Sequence, residues 1–330
     1  MWCAAPTGFV AAGALAAIEA RLEDSSAGEV IRVLDYGAGT GTATIELLKA
    51  CRERGIEEEL ERRGVSLELH LVDLPTSWFA QGFALLRDCA WTRFHSLRAE
   101  RGGFRSLTEV TGGATMDAVM VNMVFHLIPP RAFGRAVSEL AAVTAPGGRL
   151  LWSAPDLGPA GRHSVPMHDI TRALRARWLE LLRGEGSSGA EDAGEIDTQA
   201  LSPEVRKVAR NLRETLDAEA LRAARERAER HILAHPLPAT DVVAALEDSG
   251  FTGEIELRGY EMLDEDILNG ALVPSNQEEF LPEIAEREVR ERVIRELMVE
   301  EIIPAMHREP AGTAHGVNLH WTLGAFTRRQ

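Results

Sequence analysis

The stretch VLDYGAGTGTATIEL, residues 33–47, decides the fold. An apolar run ends in Asp35, three glycines follow at alternate positions (Gly37, Gly39 and Gly41), and apolar residues at helical spacing come next. A strand that turns into a helix through glycines lets a ligand approach the backbone closely, because glycine has no side chain to keep the ligand away. The stretch therefore predicts a ligand-binding loop, and the spacing of its glycines decides which ligand it suits.

Two phosphate-binding motifs do not match this loop. A P-loop requires G-x-x-x-x-G-K-[ST], but the nearest lysine is Lys49, well along the following helix. A dinucleotide fingerprint requires Gly or Ala at the sixth position of G-x-G-x-x-G. That position is Thr42 when counted from Gly37 and Thr44 when counted from Gly39. The third glycine arrives one residue early for a dinucleotide, and no lysine follows for a phosphate.

Composition narrows the class of protein. The chain has 330 residues, of which 45% are hydrophobic, and this is typical of a globular protein with a substantial core. Its net charge of −15 argues against nucleic acid as a partner, because binding a phosphate backbone needs concentrated positive charge. Three scattered cysteines without a C-x-x-C pair favour a reducing compartment. The apolar residues 8–20 are too short to span a membrane and lack a basic leader, so we expect a cytoplasmic protein with no membrane partner.

The pattern along the chain predicts an α/β fold. Short apolar runs alternate with helical patterns as far as Pro155, which indicates βαβ units and a parallel sheet with helices on both faces. After Pro155 this rhythm is interrupted twice by long helical stretches. The predicted organisation is an N-terminal helical segment (1–29), a cofactor-binding core (30–160), a helical insert or lid (161–237), and a completion of the core (238–330) that contains a second insert (264–316).

An acid followed by G-x-G-x-G after the first strand resembles motif I of the class I S-adenosylmethionine-dependent methyltransferases. Four later segments resemble further motifs of that family in the right order: HLVDLP, MDAVMVNMVFHLIPP, LAAVTAPGGRLLWS and AALEDSGFTGEIEL. The resemblance covers residues 30–160 and 238–263. It implies a Rossmann-like methyltransferase fold with a seven-stranded, mostly parallel sheet whose last strand is antiparallel.

The resemblance also implies a cofactor, S-adenosylmethionine, with S-adenosylhomocysteine as the product. The residues expected to bind it are Asp35, Tyr36, Gly37, Ala38, Gly39, Gly41, Asp73, Leu74, His95, Ser96 and Asn122. Asp35 can bond the ligand's amine directly or through water, and Asp73 can accept from both ribose hydroxyls, since a carboxylate offers two acceptors to a cis-diol. Asp73 lies further from the loop than such acids usually do, and the intervening residues predict a longer helix and loop. Near the adenine, His95, Ser96 and the less well placed Glu100 remain alternatives.

Three histidines are candidate bases for an in-line methyl transfer. A base assists when the nucleophile is a hydroxyl or a protonated amine, and histidine suits neutral pH. His126 falls in the fourth-strand segment, where it could face the substrate or simply pack beneath the site. His163 and His168 follow the fifth strand, where each could equally be a surface histidine. No residues match a strong metal-ligand motif, so no metal is expected.

The favoured function is methyl transfer to an O, N or C atom of a small molecule, with the inserts forming the substrate pocket. The second insert could instead form a homodimer interface. Two alternatives remain open: a methyltransferase acting on a protein or peptide, and a methyltransferase-like protein that binds the cofactor without catalysis. A NAD-dependent dehydrogenase is a more distant alternative.

Overall fold

The structure is a computed structural model that describes residues 4–99, 102–155, 166–183, 201–215, 219, 222–223, 237–273, 277–278, 280–308 and 312–330. The strands are β1 (Val30–Tyr36), β2 (Ser66–Asp73), β3 (Thr92–Ser96), β4 (Met116–Asn122), β5 (Thr144–Pro155), β6 (Phe251–Leu263) and β7 (Gly316–Arg328). The helices are α1 (Ala4–Asp24), α2 (Thr42–Glu53), α3 (Ile56–Arg63), α4 (Ser77–Leu86), α5 (Leu107–Val110), α6 (Pro130–Val143), α7 (Pro166–Arg183), α8 (Pro203–Thr215), α9 (Ala239–Asp248), α10 (Asp264–Ala271), α11 (Arg287–Leu297) and α12 (Ile303–His307). A 3-10 turn (Phe125–Leu127) follows β4, and a π-helical turn (Met298–Ile302) joins α11 to α12.

The strands form one seven-stranded sheet in the order β3-β2-β1-β4-β5-β7-β6. The first five strands pair in parallel, whereas β7 runs antiparallel to β5. This order with an antiparallel β7 is that of the class I methyltransferase fold, so the predicted fold is confirmed. The carboxyl ends of β1, β2, β3 and β4 lie along one edge of the sheet, which is where open α/β sheets bind ligands.

Apolar side chains cover the sheet on both faces. On one face, β1, β2 and β4 pack against α1, α2 and α3, with Ile18, Leu47 and Leu60 among the buried contacts. On the other face, α5, α6 and α9 supply side chains that include Val110, Phe133 and Leu246. Because a parallel strand is buried on both sides, its residues form nearly continuous apolar runs, and this explains why the sequence pattern revealed β1, β2 and β4.

The long connection between the glycine loop and Asp73 is accounted for by a separate helix, α3. Gly55 and Gly64 flank this helix, and both have left-handed backbone conformations, with φ of +66° and +65°. A side chain at either position would strain the backbone, so the two glycines separate α3 from α2 and from β2. Asp73 keeps its place at the end of β2 despite the extra residues.

β5 begins earlier than its sequence suggests. The motif Pro146-Gly147-Gly148 predicts the end of a helix, but α6 ends at Val143 and the motif lies inside β5. The pairing with β4 is irregular here, because Met116 pairs with Thr144 whereas Ala118 pairs with Arg149. The extra residues form a bulge that absorbs the glycines before the regular part of β5 begins.

The chain folds as two compact units. The sheet unit comprises Cys3–Ser164, His235–Gly259 and His320–Gln330, and the helical unit comprises Met1–Trp2, Val165–Ala234 and Tyr260–Leu319. Apart from Leu237, the described residues of the two inserts therefore share the helical unit. No described helix has the length and apolar character that crossing a membrane requires.

Ion pairs and hydrogen bonds join the two inserts within the helical unit. Arg175 on α7 makes a bidentate, buried ion pair with Glu283, and Nη1 of Arg175 lies 2.6 Å from Oε2 of Glu283. Ser202 caps α8 by accepting from the amide of Val205, and its hydroxyl also donates to Glu296 at 2.8 Å. Trp178 is fully buried, so it belongs to the packed interior of its unit.

Candidate functional site

The glycine loop connects β1 to α2 in a conformation that only glycine adopts readily. Gly37, Gly39 and Gly41 have φ values of +71°, +51° and +75°. The amides of Gly37 and Ala38 both donate to the carbonyl of Val72, at 2.8 and 3.2 Å, which holds the loop against the end of β2. Left-handed backbone is costly for residues with a Cβ atom, so the alternate glycines in the sequence have a direct conformational cause.

The three glycines have different surroundings. A Cβ atom on Gly37 would lie 2.4 Å from Cγ2 of Val124, and one on Gly41 would lie 2.5 Å from Cδ1 of Leu86. A Cβ atom on Gly39 would meet nothing nearer than the Gly37 carbonyl oxygen at 4.0 Å. Gly37 and Gly41 are therefore packed against protein, whereas Gly39 leaves open space where a ligand can approach the backbone.

Asp35, at the end of β1, is 3% exposed, and its Oδ2 accepts a 2.7 Å hydrogen bond from the Thr44 hydroxyl. Burial raises the pKa of this carboxyl to about 6, and the nearby Asp73 raises it further, while hydrogen bonds from Thr44 oppose the shift. The neighbouring Tyr36 is also mostly buried, and burial raises the pKa of its phenol to about 12. A cation beside Asp35 would favour its ionised form.

Asp73 links the end of β2 to the glycine loop. Its Oδ2 accepts from the amide of Gly39 at 2.6 Å, and its Oδ1 accepts from the amide of Leu74 at 2.6 Å. Burial raises the pKa of Asp73, and the two backbone hydrogen bonds oppose this shift. Each carboxylate oxygen keeps a further acceptor position, so the pair can still accept from a diol. Leu74 is 39% exposed and Ala38 is buried.

His95 and Ser96 end β3 beside β2. Ser96 pairs with Asp73, and the Ser96 hydroxyl accepts from the amide of Arg98 at 3.2 Å. Nε2 of His95 lies 3.1 Å from Nδ1 of His70, and the two rings stack with centroids 5.1 Å apart. Burial lowers the pKa of His95 to about 4, and interactions with His70, Arg105 and Arg93 lower it further, so this ring is neutral near pH 7. Glu100 lies outside the described residues.

Asn122, at the end of β4, is held by two side chains that the sequence pattern did not reveal. Its Oδ1 accepts from the Ser153 hydroxyl at 2.8 Å, and its Nδ2 donates to the hydroxyl of Thr7 at 3.2 Å. Thr7 is a fully buried residue of α1. The next residue, Met123, is the only described non-glycine residue with a positive φ, at 63°. Strained backbone of this kind is concentrated at functional sites, and Met123 was missed because side-chain patterns carry no signal of it.

The three candidate histidines have different positions. His126 lies in the 3-10 turn after β4 and is 4% exposed, so its side chain is part of the packed interior. His163 lies outside the described residues, and His168 belongs to α7 but its side chain is outside the described part. Among the described residues, no group of three or more His, Cys, Asp or Glu side chains could hold a metal ion.

Together these residues form a binding site at the carboxyl edge of the sheet. Two carboxylates, Asp35 and Asp73, lie at the ends of adjacent strands, and Asp73 accepts from the amide of Gly39, where the backbone leaves space for a ligand. No lysine or arginine belongs to the loop between Asp35 and α2. These two hydrogen-bond acceptors suit a ligand that presents an amine and hydroxyl groups rather than phosphates.

Comparison with known proteins gives only distant structural similarity. No protein-family model and no curated protein matches the chain. Among solved structures, the YcgJ protein from Bacillus subtilis is 12% identical over 96% of this chain and 99% of that chain, with a TM-score of 0.43. Phosphoethanolamine N-methyltransferase 2 from Haemonchus contortus, in complex with phosphomonomethylethanolamine and S-adenosylhomocysteine, is 16% identical over 96% of this chain and 52% of that chain, with a TM-score of 0.39.

An O-methyltransferase family protein from Burkholderia thailandensis is 14% identical over 73% of this chain and 50% of that chain, with a TM-score of 0.37. The fold is defined by the strand order and by the antiparallel β7.

Proposed function

We propose that this protein transfers a methyl group from S-adenosylmethionine to an O, N or C nucleophile of a small molecule and releases S-adenosylhomocysteine. The observation that carries the proposal is the pairing of an open glycine position with two strand-end carboxylates in this fold. The open position is Gly39, and the carboxylates are Asp35 and Asp73.

The residues of the site fit this cofactor. The amino-acid end of S-adenosylmethionine is a zwitterion, which can approach the backbone where Gly39 leaves space. Its ammonium group would be compensated by the Asp35 carboxylate, which is otherwise buried with only the Thr44 hydroxyl as its side-chain partner in the described contacts. The remaining acceptor positions of Asp73 suit the ribose hydroxyls. The exposed Leu74 next to it offers an apolar surface for the nucleoside.

The protein's contribution to such a reaction is binding and alignment. When bound, the cofactor supplies a methyl group on a sulfonium, whose positive charge already makes the sulfur a good leaving group. Asp35 and Asp73 would fix the two ends of the cofactor, and the Thr7–Asn122–Ser153 contacts would keep the end of β4 in place beside β1. Alignment of the acceptor with the methyl carbon accounts for much of the rate in such a displacement. His126, His163 and His168 remain the candidate bases.

Calorimetric titration tests the binding step. Wild-type protein should bind S-adenosylmethionine and S-adenosylhomocysteine, and Asp35→Ala should abolish detectable binding while the protein keeps its fold by circular dichroism. Asp88→Ala is the matched control, because Asp88 is an acid with a side chain that is 93% exposed. Equal affinity in wild type and Asp35→Ala contradicts the role of Asp35. Binding of NAD(H) in place of the methyl donor contradicts the proposed cofactor.

Transfer is tested separately with a methyl-labelled donor. Label should pass to members of a panel of small hydroxyl, amine and carbon acids, and not to intact proteins or peptides. Transfer only to proteins would favour a protein methyltransferase. Tight binding without transfer to any acceptor in either panel would favour a cofactor-binding protein that is not an enzyme.

We also propose a reducing, cytoplasmic location for the protein. Cys51 and Cys89 are free thiols, and Cys51 is buried in the core between α2 and the sheet. Burial raises the pKa of the Cys51 thiol to about 12, which keeps it protonated and unreactive. Fractionation of cells that express the full chain tests this location, and recovery in a secreted fraction would contradict it.

A further inference from the structure

The strand β6 leaves one long edge of the sheet without a partner strand in the described part of the chain. β6 is the last strand in the sheet order, and all of residues 252–259 are exposed. Two of its apolar side chains, Ile255 and Leu257, are 39% and 58% exposed. An open edge with apolar side chains is a template for pairing with another strand, and proteins usually protect or use such edges.

The sequence of this edge is nearly symmetric about Glu256. Residues 253–259 read GEIELRG. One residue away from Glu256 on either side are Ile255 and Leu257, two residues away are Glu254 and Arg258, and three residues away are two glycines. When two copies of one strand pair antiparallel about a two-fold axis, residues at equal distances from the axis lie opposite each other. An axis at Glu256 would therefore bring the members of each of these three pairs opposite each other, with Glu256 opposite itself.

We propose that two copies of this chain pair antiparallel through β6, with the two-fold axis at Glu256, to form one continuous sheet. Ile255 of each copy then lies opposite Leu257 of the other, on one face of the sheet. Glu254 lies opposite Arg258 on the other face. Opposite charges and paired apolar side chains both stabilise antiparallel neighbours, whereas a shift of one residue would place Glu254 opposite Leu257 and lose both.

The two Glu256 side chains lie opposite each other on the axis, and each is paired with an arginine of its own chain. Within each chain, Arg258 donates to Glu256 from Nε at 3.0 Å and from Nη2 at 2.6 Å. Arg258 is therefore shared by two carboxylates on this face, Glu256 of its own chain and Glu254 of the other copy. Residues 253–259 all belong to the sheet unit, and this inference does not depend on the proposed methyltransferase activity.

Sedimentation velocity with charge-reversal variants tests the pairing. Wild-type protein should sediment as a species of twice 36.1 kDa at high concentration. Glu254→Arg alone puts two arginines opposite each other, and Arg258→Glu alone puts two glutamates opposite each other. Each should weaken dimerisation at least tenfold. The double variant E254R/R258E should restore it, because the charges are exchanged but remain complementary.

Mixing the two single variants gives the sharpest result. Position 254 of one copy faces position 258 of the other. The arginine introduced at 254 in one variant therefore lies opposite the glutamate introduced at 258 in the other variant. A heterodimer should form from two proteins that are each monomeric alone. Glu247→Arg and Arg87→Glu change the same charges at other exposed positions and should leave the dimer intact. A wild-type monomer at every concentration, or a dimer that survives both single variants, overturns the proposal.

A disulfide test reports the register. In a background with Cys3→Ser and Cys89→Ser, Glu256→Cys should cross-link two copies on mild oxidation, since position 256 faces itself across the axis. Glu254→Cys should not, because its partner position is 258. Equal cross-linking of both variants would exclude an axis at Glu256. Unchanged circular dichroism spectra check that each variant is folded.

Discussion

The backbone amide of Gly39 donates a 2.6 Å hydrogen bond to Oδ2 of Asp73. These residues lie 34 positions apart, yet the parallel register of β1 and β2, which pairs Tyr36 with Val72, brings the two strand ends together. The bond makes the conformation of the glycine loop depend on the acid at the end of the neighbouring strand. A hydrogen bond therefore links the glycine loop, proposed to bind the amino-acid end of the cofactor, to Asp73, proposed to bind its ribose.

Asp73→Asn should loosen this connection. An asparagine side chain offers one acceptor oxygen, so it can serve the amide of Gly39 or that of Leu74, but not both. We expect a loss of about 1–3 kcal/mol in the free energy of unfolding, measured in urea, and at least a tenfold weaker affinity for S-adenosylmethionine. Asp88→Asn serves as the exposed control. Unchanged affinity in Asp73→Asn would contradict the ribose-binding role.

Substitution of two loop glycines should separate packing from binding. In Gly37→Ala the new methyl group collides with the Val124 side chain, and alanine must also adopt a left-handed backbone conformation. Gly37→Ala should therefore destabilise the fold more than Gly39→Ala, by roughly 1–3 kcal/mol. Gly39→Ala should lower the free energy of unfolding by about 1–2 kcal/mol, mainly because alanine disfavours left-handed backbone. Its methyl group fills the open position, so cofactor binding should weaken at least tenfold. Adding Val124→Ala to Gly37→Ala should recover part of the lost stability. Equal cofactor affinity in Gly39→Ala and wild type would show that the open position is not used.

Stability should depend on pH through Asp35. Its pKa is raised from 3.8 to about 6 in the folded protein, so between these values the folded state binds more protons than the unfolded chain. The free energy of unfolding therefore falls as pH rises through this window, by on the order of 3 kcal/mol for this group. Asp35→Asn removes this contribution, so its stability relative to wild type should increase from pH 4 to pH 7. The titrations of His70 and His95 are common to both proteins and cancel in the difference.

Cofactor binding should show the opposite dependence on pH. The ammonium group of the cofactor favours ionised Asp35, so the wild-type affinity for S-adenosylmethionine should rise from pH 5 to pH 7 and then level off. In Asp35→Asn the same titration should be weak and flat. A wild-type affinity that is constant across this pH range would contradict the proposed contact between Asp35 and the ammonium group of the cofactor.

Thr7→Val should reveal whether α1 supports the site. The substitution keeps the shape of a fully buried side chain but removes the hydroxyl that contacts Asn122. We expect a loss of about 1–3 kcal/mol in stability and a measurable loss of cofactor affinity. Thr111→Val removes a buried hydroxyl that donates to the Leu107 carbonyl in α5, so it should lower stability alone. Equal effects of the two variants on affinity would leave Thr7 with a purely structural role.

In the helical unit, the ion pair between Arg175 and Glu283 should show strong coupling. Their side chains are 5% and 4% exposed, so either single change removes one charge of a buried ion pair and leaves the other in place. Glu283→Gln or Arg175→Met should each cost about 3–5 kcal/mol in the free energy of unfolding. The double variant R175M/E283Q should be more stable than either single variant, because it removes both buried charges of the pair. Additive losses in the double variant would argue against this coupling.

Local patterns determined much of the architecture. The glycine spacing, the acids at the ends of β1 and β2, and the apolar runs of β4 and β5 each depend on a few consecutive residues. Left-handed backbone requires glycine, and strands buried on both faces require continuous apolar residues. For this reason the order of the elements, the methyltransferase fold and the loop were predictable from the sequence alone.

Only the tertiary structure decided which residues meet. Thr7 reaches Asn122 across 115 positions, Val124 lies behind Gly37, and Gly39 alone of the three glycines is left open. The two inserts join each other through Arg175 and Glu283, although 108 residues separate them. Such contacts follow from the packing of whole elements against one another within each unit, and the spacing of residues along the chain does not encode them locally. The sequence by itself determined the elements and their order, and the packing of those elements determined the neighbours of each functional side chain.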